Sequence, residues 1–418
     1  MSKEFKEYRK RFENELFNIL EYWNRYAVEK GGKGFYGAVD MDNKPVLSAN
    51  KSCVLNARIL WTFAAAAKAY PRKGYEEIAH LAYKVITEDF ADKEFGGFYM
   101  ELSSTNDVVN DIKHTYAQAF VIYALSKYYE YNPQEEVMRK IQDFFWFLDD
   151  KTKDPYNLGY LESFTRKWEI IEENRMADNN EPKSMNTHLH VLEAYAAVYK
   201  VWKKEVVRKR LTELLQIFIN NIIRDNGHLG VFFTSEMKEA ESSKGICSFG
   251  HDIEGSWLIW EAAEILGDSG ILKQVKPLIM KMADAVLREG VDKDGGLFLE
   301  STRFGSHVRT NKHWWLQAEN LVGFMNMYQL SGDQKYWETV KLAWDFIDRC
   351  VIDHEGGEWF TKVSRLGVPY LTEPEDDPSP YYRNDWKVDP WKCPYHNGRA
   401  MLELLERIKG LNNKKVGK

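Results

Sequence analysis

Cysteine is scarce in this chain: four residues in 418, Cys53, Cys247, Cys350 and Cys393, scattered and without a CxxC pair. Such spacing suggests neither a disulfide framework nor a zinc site, and makes a reduced, cytoplasmic compartment the default expectation. Long apolar runs are missing as well. No stretch approaches the roughly 20 residues of a membrane span, and the charged start from Met1 to Lys10 lacks an apolar secretory core. Basic runs are confined to the tail Asn413-Lys414-Lys415 and the formal net charge is −6, which argues against nucleic acid or an anionic membrane as partner.

What is abundant is aromatic surface. The hydrophobic fraction is 44% and the aromatic fraction 14%, with 14 Trp and 23 Tyr, ample for a large core with ring faces left over. Sugars suit such faces, because their C–H surface lies on a ring while their hydroxyls bond at the edges. Length alone would allow two or three domains or one large barrel, and the internal pattern favours the barrel.

That pattern is a glycine followed by aromatic or apolar residues: Gly34-Phe35-Tyr36, Gly97-Phe98-Tyr99, Gly159-Tyr160-Leu161, Gly230-Val231-Phe232, Gly296-Leu297-Phe298 and Gly357-Glu358-Trp359. The marks stand roughly 60 to 70 residues apart, room for two helices and their connections. Between them, apolar residues recur at helical spacing over Asn56 to Tyr70, Tyr75 to Phe90, His114 to Tyr129, Glu135 to Leu148, Thr187 to Trp202, Glu205 to Ile223, Trp257 to Leu266, Leu272 to Leu287, Ala318 to Leu330, Trp337 to Cys350 and Gly398 to Ile408. Phe5 to Tyr26 makes about twelve helices, with no strand-helix alternation of the parallel-sheet kind. The expectation is an all-α fold, an (α/α)6 barrel of six helical hairpins with short strands over one end, formed by residues 1–418 as a single catalytic domain. An open solenoid would need polar capping repeats, and none stands out. The Pro- and acid-rich stretch Thr372 to Pro380 reads as an exposed loop rather than a domain linker.

If the marks share one place in the architecture, the helix starts that follow them ring one mouth. These starts carry Arg58; His114 and Tyr116; Asn186, His188 and His190; His251 and Glu254; Trp314, Trp315 and Glu319; and Trp391, His396 and Arg399. Backbone N–H groups and side chains converging there make a small-molecule pocket. Gly250 reads as the last residue before its helix, so that His251 and Glu254 face each other three apart, the equipment of a general acid/base. His190 and Glu193 repeat the spacing, and Trp315 and Glu319 stand four apart. His188 and His190 diverge by about 200° on a helix and have no acidic ligand at metalloprotease spacing, so no metal is expected. Gly32 to Gly37 matches G-x-G-x-x-G, but without a preceding strand or an immediately following helix it is not a dinucleotide fingerprint.

Two histidines from distant repeats, His251 and His396, with Arg58 and a wall of Trp and Tyr, suit proton abstraction and return at a carbon beside a carbonyl. A nearby cation would hold the enediolate oxygen that develops. No redox cofactor is needed for such chemistry. A glycoside hydrolase would rely instead on paired carboxylates, and a catalytically idle sugar-binding barrel is the reading from another class.

The segments Leu55 to Trp61, Met185 to Glu193, Gly250 to Glu254, Trp314 to Glu319 and Trp391 to Arg399 resemble the N-acylglucosamine 2-epimerase superfamily, and look most like its cellobiose 2-epimerase branch. The resemblance runs from about Gly34 to Arg399. It implies reversible C2 epimerisation of the reducing-end glucose of a β-1,4-linked disaccharide through a cis-enediolate, with no cofactor. By the same resemblance His251 and His396 are the acid/base pair, Glu254 tunes His251, and Arg58 with His190 holds the O1/O2 side. Tyr116, Asp178, Asn186, Trp314, Trp315, Glu319 and Trp391 then position a small-molecule sugar on a monomer or weak homodimer. The neighbouring branches, N-acylglucosamine 2-epimerase and mannose isomerase, and a mannobiose 2-epimerase within the disaccharide branch are the alternatives. The loop from Val368 to Pro390 looks longer than the family pattern.

Overall fold

The computed structural model describes residues 3–171, 180–302, 305–372 and 383–416. Among them twelve α-helices alternate in character along the chain. The even-numbered helices are α2 (Cys53–Ala69), α4 (Thr115–Tyr131), α6 (Met185–Val201), α8 (Phe249–Leu266), α10 (Trp314–Ser331) and α12 (Tyr395–Val416). Helix α2, CVLNARILWTFAAAAKA, is apolar nearly all round, the pattern of a helix covered on every side. The odd-numbered ones are α1 (Lys3–Tyr26), α3 (Tyr75–Lys84), α5 (Glu135–Thr152), α7 (Glu205–Ile217), α9 (Ser269–Glu289) and α11 (Gln334–Phe346), and they bury a single stripe.

Packing follows composition. The six apolar helices contact one another in a closed inner ring, α2 to α4, α6, α8, α10, α12 and back to α2. Each takes an amphipathic helix on its outside, α3, α5, α7, α9 and α11 from the hairpins and α1 against α12. The expected (α/α)6 barrel is thus present. No described helix is long and apolar enough to cross a membrane. The windows expected to end at Phe90, Ile223 and Cys350 do so through one π turn each, Val85–Asp89, Phe218–Ile222 and Ile347–Val351.

Short antiparallel strands lie where the inner helices begin. Lys51–Ser52 pairs with Glu101–Leu102, Lys113–His114 with Ser163–Phe164, Lys183–Ser184 with Phe232–Phe233, Cys247–Ser248 with Glu300–Thr302, and Lys312–His313 with Lys362–Val363. The sixth pair, Val39–Asp40 with Trp386–Val388, joins the two ends of the chain and closes the circle.

The glycine marks precede these strands, each beside a single bridge: Val28 to Phe35, Ala91 to Phe98, Lys153 to Tyr160, Ile223 to Leu229, Val291 to Leu297 and Ile352 to Trp359. Two marks are displaced from the shared register. The position before the bridge is Gly34, Gly97, Gly159 and Gly296 in four repeats, but His228 in the fourth and Glu358, at φ 63°, in the sixth. The bridging N–H is held by the fourth residue of the next inner helix. Gln118, His188, Asp252 and Gln317 accept from Phe98, Tyr160, Leu229 and Leu297 at 3.0, 3.0, 2.8 and 2.8 Å. In the sixth repeat that helix position is Gly398, and Glu358 accepts from Trp359 N–H itself at 3.0 Å. Buried ion pairs Lys51–Glu29, Lys113–Asp92, Lys183–Asp154, Lys312–Asp292 and Lys387–Asp353 repeat beside these bridges and tie strand to turn. Such pairs specify register more than they add stability.

Candidate active site

Helix α8 begins at Phe249, two residues earlier than the sequence suggests. Gly250 lies inside its first turn and Ser248 takes the capping position. A Cβ on Gly250 would stand 2.6 Å from Leu316 and 2.7 Å from Trp315. That close approach sets the indole of Trp315 against His251, with ring centroids 4.8 Å apart. The same indole also meets His396 of α12, at 5.6 Å. Two imidazoles from the fourth and sixth hairpins therefore address one region, with half-buried Trp315 in contact with both.

The expected pairing of His251 with Glu254 is not formed. Spacing put both on one helix face, but the buried guanidinium of Arg399 captures Glu254 Oε1 at 2.9 Å, while His251 Nδ1 turns to Ser248 Oγ at 2.8 Å. Arg399 is the hub. It donates Nη2 to Glu319 Oε1 at 2.7 Å and Nη1 to Glu193 Oε1 and Tyr395 Oη. Glu319 also accepts from His396 Nδ1 at 2.7 Å and from Trp257 Nε1 at 3.0 Å. Glu193 accepts from Tyr395 Oη at 2.6 Å and faces His190 Nδ1 at 2.9 Å, so the second His/Glu spacing read from the sequence is a real contact.

A second arm joins this network through Arg58. Its Nη2 donates to Tyr116 Oη at 2.7 Å and its Nη1 to the carbonyl of Trp391 at 3.2 Å. Tyr116 packs its ring against His190 at 5.0 Å and lies 5.9 Å from Trp391. Arg58 is further held over Phe120 at 4.3 Å and Tyr395 at 5.2 Å, aromatic faces that suit a desolvated cation.

Burial governs the protonation states. It drives the His251 imidazole down to about 3, with His190 nearby pushing the same way. Burial lowers His396 too, reinforced by the positive charges of Arg58 and Arg399, and lowers His190 although Glu193 opposes it. All three rings are neutral near neutrality. Burial raises Glu254 and Glu319, and the repulsion of Glu319 adds to it at Glu254, whereas Arg399 and His190 more than offset burial at Glu193 and hold it at about 2. His396 gives its Nδ1 hydrogen to an acceptor-only carboxylate, so its Nε2 is left as a lone pair, the form a base requires.

Among the described residues, Glu254, Glu319 and His396 bring one ligand atom each within 4.8 Å of one another. Arg399 already bonds both carboxylates, so the cluster is organised about an organic cation. His188 is also spent on structure: Nδ1 donates to Ser184 O at 2.7 Å and Nε2 accepts from Tyr160 N–H. Asn186 stands half-buried in the first turn of α6, its Oδ1 without a hydrogen-bond donor among the described residues. Trp314 is buried, and Trp391 is half-buried. Asp178 lies outside the described residues, as does most of the stretch from Thr372 to Pro380. Sequence reasoning placed Arg399 at the mouth without giving it a role, and passed over Tyr395 and Ser248 as site groups. The signal for Arg399 was an arginine one turn into a helix between residues destined for burial.

Barrel and mouth together define an enzyme of the carbohydrate epimerase class. The chain belongs to the N-acylglucosamine 2-epimerase (GlcNAc 2-epimerase) family, whose model matches residues 34–382. It is 37% identical to a cellobiose 2-epimerase of Bacteroides fragilis over 390 residues, 93% of this chain and 95% of that protein. The solved cellobiose 2-epimerase of Bacillus thermoamylovorans superposes with a TM-score of 0.88 at 32% identity, covering 96% of this chain and 100% of the other. A D-mannose isomerase of Marinomonas mediterranea is more distant, 21% identical over 90% of this chain and 91% of that protein.

Proposed function

We propose that the protein is a cellobiose 2-epimerase, inverting C2 of the reducing-end glucose of β-1,4-linked disaccharides, cellobiose to glucosyl-mannose and lactose to epilactose. The observation that carries this reading is the placement of His251 and His396 against one indole, that of Trp315. Once the sugar ring is open, one neutral imidazole removes the C2 proton and becomes imidazolium while the electron pair moves onto O1 to give a cis-enediolate. The other imidazole, protonated by exchange with solvent, gives its proton to the opposite face of C2, and the first returns its own to solvent. No electrons are gained or lost. The 37% identity to a full-length cellobiose 2-epimerase supports the disaccharide over the mannose isomerase reading.

Arg58, charged at any working pH, and His190 hold the O1/O2 side where negative charge develops. Glu319 orients His396, and Glu254 acts through Arg399 rather than on His251. Tyr116, Asn186, Trp314, Trp315, Trp391 and Asp178 position the sugar. All these groups come from one chain, so residues 1–418 work as one catalytic unit, as a monomer or weak homodimer. The four free cysteines agree with a cytoplasmic setting.

Incubation with cellobiose in D2O, followed by NMR, tests the reading. Deuterium at C2 with the glycosidic bond intact is the expected result. A new reducing end would mean hydrolysis, and silence would mean a binding barrel; either overturns it.

A further inference from the structure

The side chain before an inner helix caps it in α2, α4 and α6, whereas those of His313 before α10 and Ser248 before α8 make no cap bond. Ser52 accepts from Leu55 N–H at 3.4 Å and Ser184 from Thr187 N–H at 3.1 Å, each capping the helix that follows. Ser248 stands in the same position before α8, with φ −91° and ψ 99°, yet its side chain makes no cap bond. Its Oγ lies instead 2.8 Å from His251 Nδ1. A serine cap contributes about 1 kcal/mol to a helix, and α8 forgoes it where α2 and α6 keep it.

The chemical type of the partner sharpens the point. His396 has a carboxylate behind it, which only accepts, so its tautomer is fixed with the hydrogen on Nδ1. A serine hydroxyl both donates and accepts. Behind His251 it supports either neutral tautomer, so Nε2 can carry a lone pair or a hydrogen without any change of charge. No carboxylate competes for this ring. From its own helix Glu254 is turned to Arg399, from α10 Glu319 is engaged by His396, Arg399 and Trp257, and from α6 His190 is bonded to Glu193. From α12 His396 meets Trp315.

We propose that Ser248 is a positioning residue for the epimerisation, holding His251 by Nδ1 while leaving its tautomer free, so that His251 takes the role complementary to the fixed base His396. This rests on the epimerase reading. It explains how two histidines on a reversible path avoid being the same base twice. One is locked by Glu319, and the other is adjustable through Ser248.

Ser248→Ala and Ser248→Thr, assayed with cellobiose over a range of pH beside the wild type, test the assignment. Ser248→Ala is expected to lower kcat about tenfold or more with KM little changed, and to displace the pH profile. Its Tm should match the wild type, since no cap bond is lost. Ser248→Thr keeps the hydroxyl and should recover most of kcat. If wild type exchanges no C2 deuterium, the epimerase reading fails first. If it exchanges and Ser248→Ala keeps kcat and pH profile, the assignment alone is overturned. A loss in Ser248→Ala that tracks a fall in Tm, or that Ser248→Thr does not recover, overturns it equally.

Discussion

His396 Nδ1 stands 2.7 Å from Glu319 Oε1, and that oxygen also accepts from Arg399 Nη2 at 2.7 Å. The carboxylate thus fixes the tautomer of one proposed base and shares the charge of the hub arginine. Glu319→Gln keeps the size of the side chain but offers an NH2 group where Nδ1 now donates. We expect kcat to fall about 100-fold with a smaller change in KM, measured by steady-state epimerisation of cellobiose. A Gln variant with wild-type kcat would remove Glu319 from the mechanism.

The pH dependence of activity follows from burial of the rings. Burial lowers His251 from 6.5 to about 3 and carries His396 well below 6.5, so both bases stay unprotonated in acid where a free imidazole would be half charged. The acid limb of kcat/KM should therefore lie below pH 6.5, with a plateau across that value. A profile halved at 6.5 would show that the essential base is a solvated histidine elsewhere.

Periodicity made the architecture legible and left the hydrogen bonding hidden. The six marks predicted six hairpins because every repeat must bring the same bridge to the start of an inner helix. At the fourth and sixth the glycine had slipped from that register, since His228 and Glu358 occupy the slot before the bridge. Spacing also put His251 beside Glu254 and His190 beside Glu193, and only the second pair bonds. A three-residue interval fixes a shared helix face. It does not say which cation, arriving from a helix 145 residues away, will take the carboxylate first.

The slot before the fourth bridge gives a stability test separate from catalysis. His228 is held between Asp252 Oδ2 at 2.7 Å and Glu289 Oε2 at 3.1 Å, two acceptors that require both ring nitrogens to donate. Burial opposes the charge, but Asp252 and Cys247 more than offset it and raise the imidazole to about 10. A His raised from 6.5 contributes stability that is fully present below 6.5 and is lost as pH rises through about 10. His228→Gln should cost about 3 kcal/mol at pH 6, and the gap in Tm from wild type should shrink as pH climbs toward 10. A gap that is constant with pH would mean that His228 is neutral in the fold.

Gly159→Ala and Gly250→Ala separate strain from function. Gly159 holds φ 88°, and its Cβ would stand 2.3 Å from His188 Nε2, so alanine there should cost more than about 1 kcal/mol while leaving the kcat of the folded fraction intact. Gly250 has ordinary helical backbone, where alanine alone would add about 1 kcal/mol of stability. Its Cβ, however, would meet Leu316 at 2.6 Å and Trp315 at 2.7 Å, and the indole that touches both His251 and His396 would have to shift. We therefore expect Gly250→Ala to lower kcat by at least about tenfold, a larger loss than its change in Tm would account for. Thermal melts and steady-state kinetics on the two variants give the comparison, and equal kcat in both would mean that Trp315 does not set the spacing of the two histidines.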